Sequence, residues 1–346
     1  MTIQSWIVVS IAFVLSLLVP FALRPILRSQ NVIDIPNARS SHSNEVLRGG
    51  GVAQLLGVSA GLSVEALLVA QSPPSYGLFR IFIILAVMVG IGILGLIEDT
   101  RGVPVFVRAV SQLLVGMVGA SVLVLSSGIS PWWIAVGALF FVAYTNAANF
   151  MDGIDTVSAL HGLTVGGLFA IIGVLSSSPW LVTSGLVLAV SFVSFLPWNI
   201  GPRRIFLGDV GSYLLGGGIA IVSIAAATAG VPVIALVGPL AIYLADTGTT
   251  LFMRVVRGER WQDAHRLHVY QRLVDAGLSH IRVSLIVTVS TIVSGAFGLL
   301  ALVGSPAETL FAVVGVALTV GLYLALPQLS LRAVRQRMRI ADGGEN

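Results

Sequence analysis

Acidic residues end several apolar stretches of this sequence, although only 10% of its 346 residues are charged. The segment NFMDGID, residues 149–155, places Asn149, Asp152 and Asp155 at the end of one such stretch. In a helical turn, the i, i+3 spacing would bring both carboxylates to one side, with Asn149 one turn earlier. Mg²⁺ prefers oxygen ligands and usually bridges one or two carboxylates to a substrate phosphate. Helix capping is the structural alternative, but two carboxylates beside an amide favour a functional role.

The motifs GLIEDTRG and IFLGDVGS add carboxylates at the ends of two other apolar stretches. Glu98 and Asp99 are adjacent in the first motif, so the pKa of one rises unless a cation keeps both ionised. A metal ion or a proton-transfer role would explain this pair, and an ion pair with Arg101 is the alternative. In the second motif Asp209 stands between glycines, where the backbone can approach a ligand and a helix N-terminus favours anions. A simple N-cap is the alternative there.

Basic side chains accompany the acids in the polar segment DIPNARSSHSNEVLRGGG, residues 34–51. Arg39, His42 and Arg48 could bind phosphate there, with help from the backbone amides of the three glycines. A flexible connector with interfacial arginines is the alternative for this segment.

A second basic segment, RWQDAHRLHVYQRLVDAG, covers residues 260–277 and is typical of a short interfacial helix that ends at Gly277. His265 and His268 are three positions apart, but an HxxH pattern alone is a weak zinc motif. The neighbouring arginines, Arg266 among them, favour an anionic substrate over a metal ion.

The elements that carry these motifs are predicted to be membrane helices. The sequence is 56% hydrophobic with a mean hydropathy of +0.97, well above the apolar share that soluble domains need. Apolar stretches of about twenty residues are long enough to cross a bilayer. Eleven of them lie near residues 5–24, 50–70, 79–97, 105–126, 131–149, 158–177, 180–197, 211–229, 231–252, 281–303 and 307–327. The sequence therefore predicts an all-α polytopic membrane protein with about eleven transmembrane helices.

The arginines predict how these helices are oriented. The chain has 19 arginines and no lysine, and 18 of the arginines follow odd-numbered stretches or lie in the C-terminal tail. By the positive-inside rule, the N-terminus is outside and the C-terminus is cytoplasmic. Nearly all carboxylates and histidines fall on the same side, which the rule does not explain because acids contribute little to topology. A shared site on the cytoplasmic face is therefore predicted.

Together, the five motifs resemble those of the polyprenyl-phosphate N-acetylhexosamine-1-phosphate transferases, which form part of glycosyltransferase family 4. The motifs occur in the family's order, and the resemblance spans nearly all of residues 34–280. It implies transfer of a sugar 1-phosphate from a UDP-N-acetylhexosamine to undecaprenyl phosphate, with release of UMP. It also implies Mg²⁺ as the cofactor, with Mn²⁺ as a second option, and a multi-pass protein of the bacterial inner membrane.

The resemblance further implies a role for each motif. Asp209 and Asp99 look like the metal ligands, and catalytic contacts are implied for Glu98, Asp99, Asp152 and Asp155. Asp99 is the candidate that accepts a proton from the lipid phosphate. The implied substrate-binding residues are Arg39, His42, Arg48, Asn149, His265, Arg266 and His268.

Three features depart from the family's usual pattern. The acidic pair is usually Asp-Asp, whereas the first member here is Glu98, whose longer side chain alters metal geometry. Thr156 replaces the glycine that commonly follows DGID. The AHRxHxYQ pattern around His265 and His268 is closer to the branch that initiates O-antigen and related polysaccharides. N-acetylglucosamine, N-acetylfucosamine and N-acetylquinovosamine therefore all stay open as the sugar.

The sequence predicts one integral-membrane transferase domain over residues 1–330 and a basic cytoplasmic tail over residues 331–346. The lipid bilayer, UDP-N-acetylhexosamine and undecaprenyl phosphate are the expected partners, nucleic acid is not expected, and a homodimer stays open. A multi-spanning transporter or proton-coupled carrier is the alternative function. Transporters place coupling residues near the bilayer midplane, whereas only Glu65 lies well inside an apolar stretch here.

Overall fold

The computed structural model of the chain describes residues 3–35, 45–71, 76–201, 204–259 and 267–342. Within these ranges the chain is almost entirely helical, with one pair of two-residue strands, β1 (Ile33–Asp34) and β2 (Val46–Leu47). The helices are α1 (Ile3–Ser29), α2 (Gly51–Ala70), α3 (Tyr76–Arg101), α4 (Val105–Ser126), α5 (Trp132–Met151), α6 (Val157–Leu175), α7 (Pro179–Val193), α8 (Leu196–Asn199), α9 (Gly208–Thr228), α10 (Val233–Val237), α11 (Ala241–Val256), α12 (Val269–Asp275), α13 (His280–Leu299) and α14 (Pro306–Asp342).

Eleven segments of the described chain are long and apolar enough to cross a membrane. Two of them combine consecutive helices, namely Pro179–Asn199 with α7 and α8, and Val233–Val256 with α10 and α11. The prediction of an all-α membrane protein with about eleven transmembrane helices is therefore confirmed.

The helix α9 lies at the centre of the bundle. It packs against α2, α3, α4 and α5, and nearly all of its residues are buried. Glycine allows this close packing. A Cβ on Gly95 of α3 would stand 2.4 Å from the carbonyl oxygen of Asp209, and a Cβ on Gly51 of α2 would stand 2.3 Å from the Cα of Gly211. These contacts fix the N-terminal turn of α9 against its neighbours at backbone distance.

The segment from β2 to the start of α2 is hydrogen-bonded to the segment before α9. Phe206 donates its backbone N–H to the carbonyl of Leu47 over 2.7 Å, and Gly50 donates to the carbonyl of Phe206 over 2.9 Å. Gly51 continues this ladder by donating to the carbonyl of Leu207 over 2.8 Å. The two segments therefore enter their helices side by side, which places the residues around position 48 next to the start of α9.

The span that contains α10 and α11 is interrupted by a 3₁₀ turn at Gly238–Leu240. Pro239 has no backbone N–H and cannot continue the ladder of a regular helix. The carbonyl of Gly238 accepts a hydrogen bond of 2.7 Å from the hydroxyl of Ser294 in α13. A side chain from a neighbouring helix thus satisfies a backbone group at the break, as irregular backbone within a membrane requires.

The C-terminal helix α14 runs from Pro306 to Asp342 without a break. The candidate membrane span within this helix covers Pro306–Leu329. The predicted boundary between the membrane domain and the basic tail at residue 330 thus falls inside a continuous helix, and the separate role of the tail stays a prediction.

We expect Gly166→Ala to lower the thermal stability of the protein. A Cβ at this position would lie 2.5 Å from the carbonyl oxygen of Gly185 in α7, and forcing an atom into such a contact typically costs about 1–3 kcal/mol. Gly167→Ala is the matched control, because a Cβ there would have no neighbour within 4 Å. Thermal unfolding of both variants in the same detergent measures the difference. Equal midpoints would contradict the close packing of α6 on α7.

Candidate active site

The carboxylate of Asp99, at the end of α3, caps the N-terminus of α9. Its Oδ1 accepts the backbone N–H of Asp209 and its Oδ2 accepts that of Val210, each over 2.9 Å. The first N–H groups of a helix have no partner within it and carry a partial positive charge, so they attract an anion. Only 1% of the Asp99 side chain is exposed. The start of α9 is therefore bound to α3 by a charged group, and the side chain of Asp209 is not the N-cap.

Arg48, just after β2, bridges the two carboxylates. Its Nε lies 2.7 Å from Oδ1 of Asp99, and its terminal Nη2 lies 2.5 Å from Oδ2 of Asp209. The position of Arg48 follows from the ladder between β2 and the segment before α9. About a third of its side chain is exposed, so this guanidinium can also meet an anion that enters from the surrounding loops.

The amide of Asn149, near the end of α5, completes this cluster. Its Nδ2 donates to Oδ1 of Asp209 over 2.7 Å and to the hydroxyl of Ser212 over 2.9 Å. We call Arg48, Asp99, Asn149 and Asp209 the carboxylate cluster. Four elements far apart in sequence thus bring together four residues that the sequence analysis singled out.

Asp152 lies beside the carboxylate cluster in the loop after α5. Its Oδ1 accepts a hydrogen bond of 2.6 Å from Ser158 in α6. Burial raises the pKa of Asp152 to about 7, the negative charges of Asp209 and Asp99 act in the same direction, and Ser158 and Arg48 oppose them. A carboxyl group with such a pKa can change its protonation state near neutral pH.

Asp155 belongs to a different group of side chains. Its Oδ2 lies 2.7 Å from Nη1 of Arg204 and 3.2 Å from Nδ1 of His280. The expectation that Asp152 and Asp155 share one side of a helical turn is wrong. The helix α5 ends at Met151, and the chain reaches α6 through a loop in which Thr156 has a left-handed φ of 71°.

Glu98 does not share a cation with Asp99. Its Oε1 pairs with Nη1 of Arg108 in α4 over 3.1 Å. Adjacent residues of a helix point in different directions, and the partners of the two acids are Arg108 and Arg48, not Arg101, which the sequence offered as the alternative. Glu98 thus lies beside the carboxylate cluster without a direct contact to it among the described residues.

His268 lies behind the segment that carries Asn149 and Asp152. Its ring packs on Phe150, with the ring centroids 6.3 Å apart, and its Nδ1 lies 3.0 Å from Oδ1 of Asp246 in α11. Asp246 is fully buried. The sequence analysis gave Asp246 no role in the site, although its position toward the end of the apolar stretch 231–252 was the signal for one.

Four predicted substrate-binding residues lie outside the described ranges. They are Arg39, His42, His265 and Arg266. Their roles stay predictions.

The chemistry of the carboxylate cluster suits a divalent cation shared with a substrate. The described residues contain no group of three or more acidic, histidine or cysteine side chains that could hold a metal ion. Mg²⁺ is often held by only one or two carboxylates together with waters and substrate phosphates. Asp209, whose side chain is 13% exposed, could supply such a ligand. Asp99 is less available, since both of its oxygens already accept backbone N–H groups.

Comparison with known proteins identifies the family. Residues 81–227 match the family described as glycosyl transferase family 4. A probable undecaprenyl-phosphate N-acetylglucosaminyl 1-phosphate transferase of Bacillus subtilis (strain 168) is 30% identical over 305 residues, which cover 80% of this chain and 80% of that protein. The chain belongs to glycosyl transferase family 4.

Two further relatives show the range of this family. A decaprenyl-phosphate N-acetylglucosaminephosphotransferase of Mycobacterium leprae (strain TN) is 29% identical, over 73% of this chain and 72% of that protein. A phospho-N-acetylmuramoyl-pentapeptide-transferase of Desulforudis audaxviator (strain MP104C) is 30% identical, over 51% of this chain and 61% of that protein. The resemblance to polyprenyl-phosphate hexosamine-1-phosphate transferases is confirmed.

The region that matches the family model, residues 81–227, runs from α3 to α9. It includes Asp99, Asn149, Asp152 and Asp209, and thus three of the four residues of the carboxylate cluster. Arg48 lies before this region, and it reaches the cluster through the ladder between β2 and the segment before α9.

We expect Asp152→Asn to change how stability depends on pH when divalent cations are absent. An unfolded Asp ionises near a pKa of about 4, whereas the folded carboxyl ionises near about 7. Between these values the folded state holds a proton that the unfolded state has released, so the stability of the wild type falls as the pH rises and levels off above the folded pKa. Asn has no such proton, and its side-chain oxygen can still accept the hydrogen bond of Ser158.

Thermal unfolding with a chelator measures this effect. The midpoint of Asp152→Asn relative to wild type should increase from about pH 5 to about pH 8. If the two proteins gave parallel curves over this range, the raised pKa of Asp152 would be wrong.

Proposed function

We propose that this protein transfers a sugar 1-phosphate from a UDP-N-acetylhexosamine to undecaprenyl phosphate and releases UMP. The active site is the carboxylate cluster, with Asp152 beside it and the loops of the cytoplasmic face around it. The N-terminus is outside, and the membrane is the bacterial inner membrane. Mg²⁺ is the proposed cofactor, with Mn²⁺ as a substitute.

One observation carries this proposal: the guanidinium of Arg48 and the carboxylates of Asp99 and Asp209 meet at the N-terminus of a buried helix. Arg48 and the first turn of α9 supply positive charge, Asp209 supplies an oxygen ligand, and Asp99 holds the first turn of α9 in place. Phosphoryl transfer depends mainly on positioning the reactants and on neutralising charge. A cluster of this composition can do both at the interface where a lipid phosphate meets a nucleotide.

The reaction is a single displacement at phosphorus. An oxygen of the lipid phosphate attacks the β-phosphorus of the UDP-sugar. A new P–O bond forms, the bond between the β-phosphorus and the bridging oxygen breaks, and UMP leaves with that oxygen. The product is undecaprenyl diphosphate bearing the sugar, so neither an oxidant nor a second nucleotide is required.

Each side chain of the carboxylate cluster has a separate role in this reaction. Arg48 binds a phosphate oxygen, and Asn149 holds the carboxylate of Asp209 in place through its 2.7 Å hydrogen bond. A divalent cation held by Asp209 would neutralise the charge that develops on the diphosphate. Asp99 fixes the start of α9 and is the proposed acceptor of a proton from the lipid phosphate. A phosphate monoester is mostly dianionic near neutral pH, so this proton transfer serves only its monoanionic form.

An apolar cleft of about 350 Å³ supports a lipid acceptor. It lies between α4, α5, α9 and α10, toward the end of the bundle away from Asp209. Val136, Phe140 and Ile224 are among the residues that line it. An isoprenoid chain running along α5 and α9 from a phosphate at the carboxylate cluster would meet this surface.

The sugar and the pathway are finer parts of the proposal. The relatives named above support a donor with an N-acetylhexosamine, and N-acetylglucosamine is the first to test. The AHRxHxYQ pattern supports a role in initiating O-antigen or another cell-envelope polysaccharide, with N-acetylfucosamine and N-acetylquinovosamine as further donors.

A transporter is the alternative from the sequence, and the break between α10 and α11 is a feature that it would share. In transporters, however, ionisable residues converge on the bilayer midplane. Here the acids of the carboxylate cluster, Asp99 and Asp209, stand at the ends of their helices. The transferase accounts for this placement and the transporter does not.

The proposal is tested by measuring UMP release. The assay contains purified protein in detergent, undecaprenyl phosphate and one of a panel of UDP-N-acetylhexosamines. We expect UMP release that requires the lipid, requires Mg²⁺ or Mn²⁺, and is matched by one lipid-linked sugar phosphate in the mass spectrum. Omitting the lipid measures simple hydrolysis of the donor. If folded protein gave no lipid-linked product with any donor, the transferase would be excluded and flux into vesicles would be measured instead.

A further inference from the structure

Asp246 in α11 is a buried carboxylate whose oxygens are both engaged. Its Oδ1 lies 3.0 Å from Nδ1 of His268 and accepts the backbone N–H of Val269 over 3.0 Å. Its Oδ2 accepts the hydroxyl of Tyr323 over 2.8 Å. Residues from α11, α12 and α14 and the residue before α12 therefore meet at this one side chain.

These hydrogen bonds determine which nitrogen of His268 carries a proton. The N–H of Val269 and the O–H of Tyr323 are both donors toward Asp246, so the carboxylate acts as an acceptor. The Nδ1 of His268 must then carry the proton of the 3.0 Å contact. Within the described ranges, His268 is the only basic side chain within ion-pair distance of Asp246.

The ring of His268 is held against the backbone that carries the active-site amide. It stacks on Phe150, the residue after Asn149, and on Tyr270 at a centroid distance of 5.7 Å. The hydroxyl of Tyr270 donates to the carbonyl of Phe150 over 2.9 Å. Gly153 makes room for this hydroxyl, because a Cβ there would lie 2.1 Å from it.

We propose that Asp246 is a positioning residue for the transfer reaction, which acts by holding His268 in one orientation with Nδ1 protonated. Tyr323 of the last transmembrane helix supports Asp246 in this role. This proposal rests on the proposed function and on the predicted role of His268 in binding an anionic substrate group. Buried carboxylates that orient functional histidines in this way are a general device of active sites.

A double-mutant cycle tests whether Asp246 acts through His268. Asp246→Asn, His268→Gln and the double variant are compared for kcat and KM of UMP release. We expect Asp246→Asn to lower kcat/KM by about 10- to 100-fold, the range seen when the hydrogen-bond partners of metal-binding histidines are removed. His268→Gln should lower it at least as much. The double variant should be no worse than His268→Gln by more than about 3-fold, because the two residues work as a unit.

Two results would overturn the proposal. One is an equal loss from Asp246→Asn in the presence and absence of His268, which would show that Asp246 supports the fold and not the histidine. The other is full activity in Asp246→Asn beside a large loss in His268→Gln. Should Asp246→Asn fail to fold, Tyr323→Phe replaces it in the same cycle. Tyr323→Phe removes one hydrogen bond to Asp246, and we expect it to lower kcat/KM by about 2- to 10-fold. In the His268→Gln background the same change should have no further effect on kcat/KM.

A spectroscopic measurement separates this proposal from the proposed function. Selective ¹⁵N labelling of the five histidines reports the protonation of each ring nitrogen, and the spectrum of His268→Gln assigns the signals of His268. We expect a protonated Nδ1 in the wild type and a shift of the His268 signals alone in Asp246→Asn. If the wild type showed this spectrum but released no UMP from any donor, the proposed transferase function would be wrong. The orientation of His268 by Asp246 would still be supported.

Discussion

Replacing Asp209 by Asn is expected to lower UMP release by about 1,000-fold or more. The substitution keeps the shape of the side chain but removes the charge that faces Arg48 at 2.5 Å and that would hold a divalent cation against the diphosphate. Metal assistance supplies several kcal/mol to such a reaction, and each 1.36 kcal/mol corresponds to a factor of about ten in rate. Initial rates over a series of Mg²⁺ concentrations measure the effect.

The matched control is Glu259→Gln, which removes a carboxylate that is 40% exposed beyond the end of α11. It should leave the rate and its dependence on Mg²⁺ unchanged. A folded Asp209→Asn protein that retained a third or more of the wild-type rate would contradict a metal-binding role for Asp209.

Gly208→Ala is expected to abolish most activity without removing any functional group. Gly208 opens α9 with a left-handed φ of 76°, and a Cβ there would lie 2.6 Å from Oδ2 of Asp99 and 2.9 Å from the backbone nitrogen of Gly49. The capping carboxylate of Asp99 or the backbone at Gly49, directly after Arg48, would have to move. Displacements of about 1 Å can cost about 100-fold in rate, so we expect a loss of at least that size.

Gly102→Ala is the control that distinguishes displacement of the carboxylate cluster from the strain of an alanine in a left-handed conformation. Gly102 has a similar φ of 67°, but a Cβ there would have no neighbour within 4 Å. Both variants bear the cost of a left-handed alanine, roughly 1–2 kcal/mol, whereas only Gly208→Ala disturbs the cluster. Similar losses of activity in the two variants would show that strain, not the contact with Asp99, is responsible.

The transmembrane helices could be predicted because each depends on a local property of the sequence. Twenty apolar residues cross a bilayer whatever lies beside them, and all eleven predicted stretches correspond to spans of the structure. The end of α5 was harder to predict. The sequence allowed a turn that continues through Asp155, but the helix stops at Met151, and Asp155 bonds to Arg204 and His280 instead.

The residue types of the site could be predicted, but the contacts between them could not. Asp99 and Asp209 are 110 positions apart, and only the packing of α3 on α9 reveals that one caps the helix that carries the other. Asp246 and Tyr323 are 77 positions apart on different helices. No spacing rule connects residues at such distances, because periodicity describes a single element.

The cap that Asp99 places on α9 makes ligand binding and the assembly of the bundle thermodynamically linked. The groups that we propose bind phosphate and a metal ion also join α3, α9 and the segment before α2. A ligand that binds only this assembled arrangement stabilises the folded protein in proportion to the logarithm of its concentration over its dissociation constant. Occupancy of the cluster by nucleotides, lipid phosphates or cations can thus be followed by a rise in melting temperature, with no turnover required.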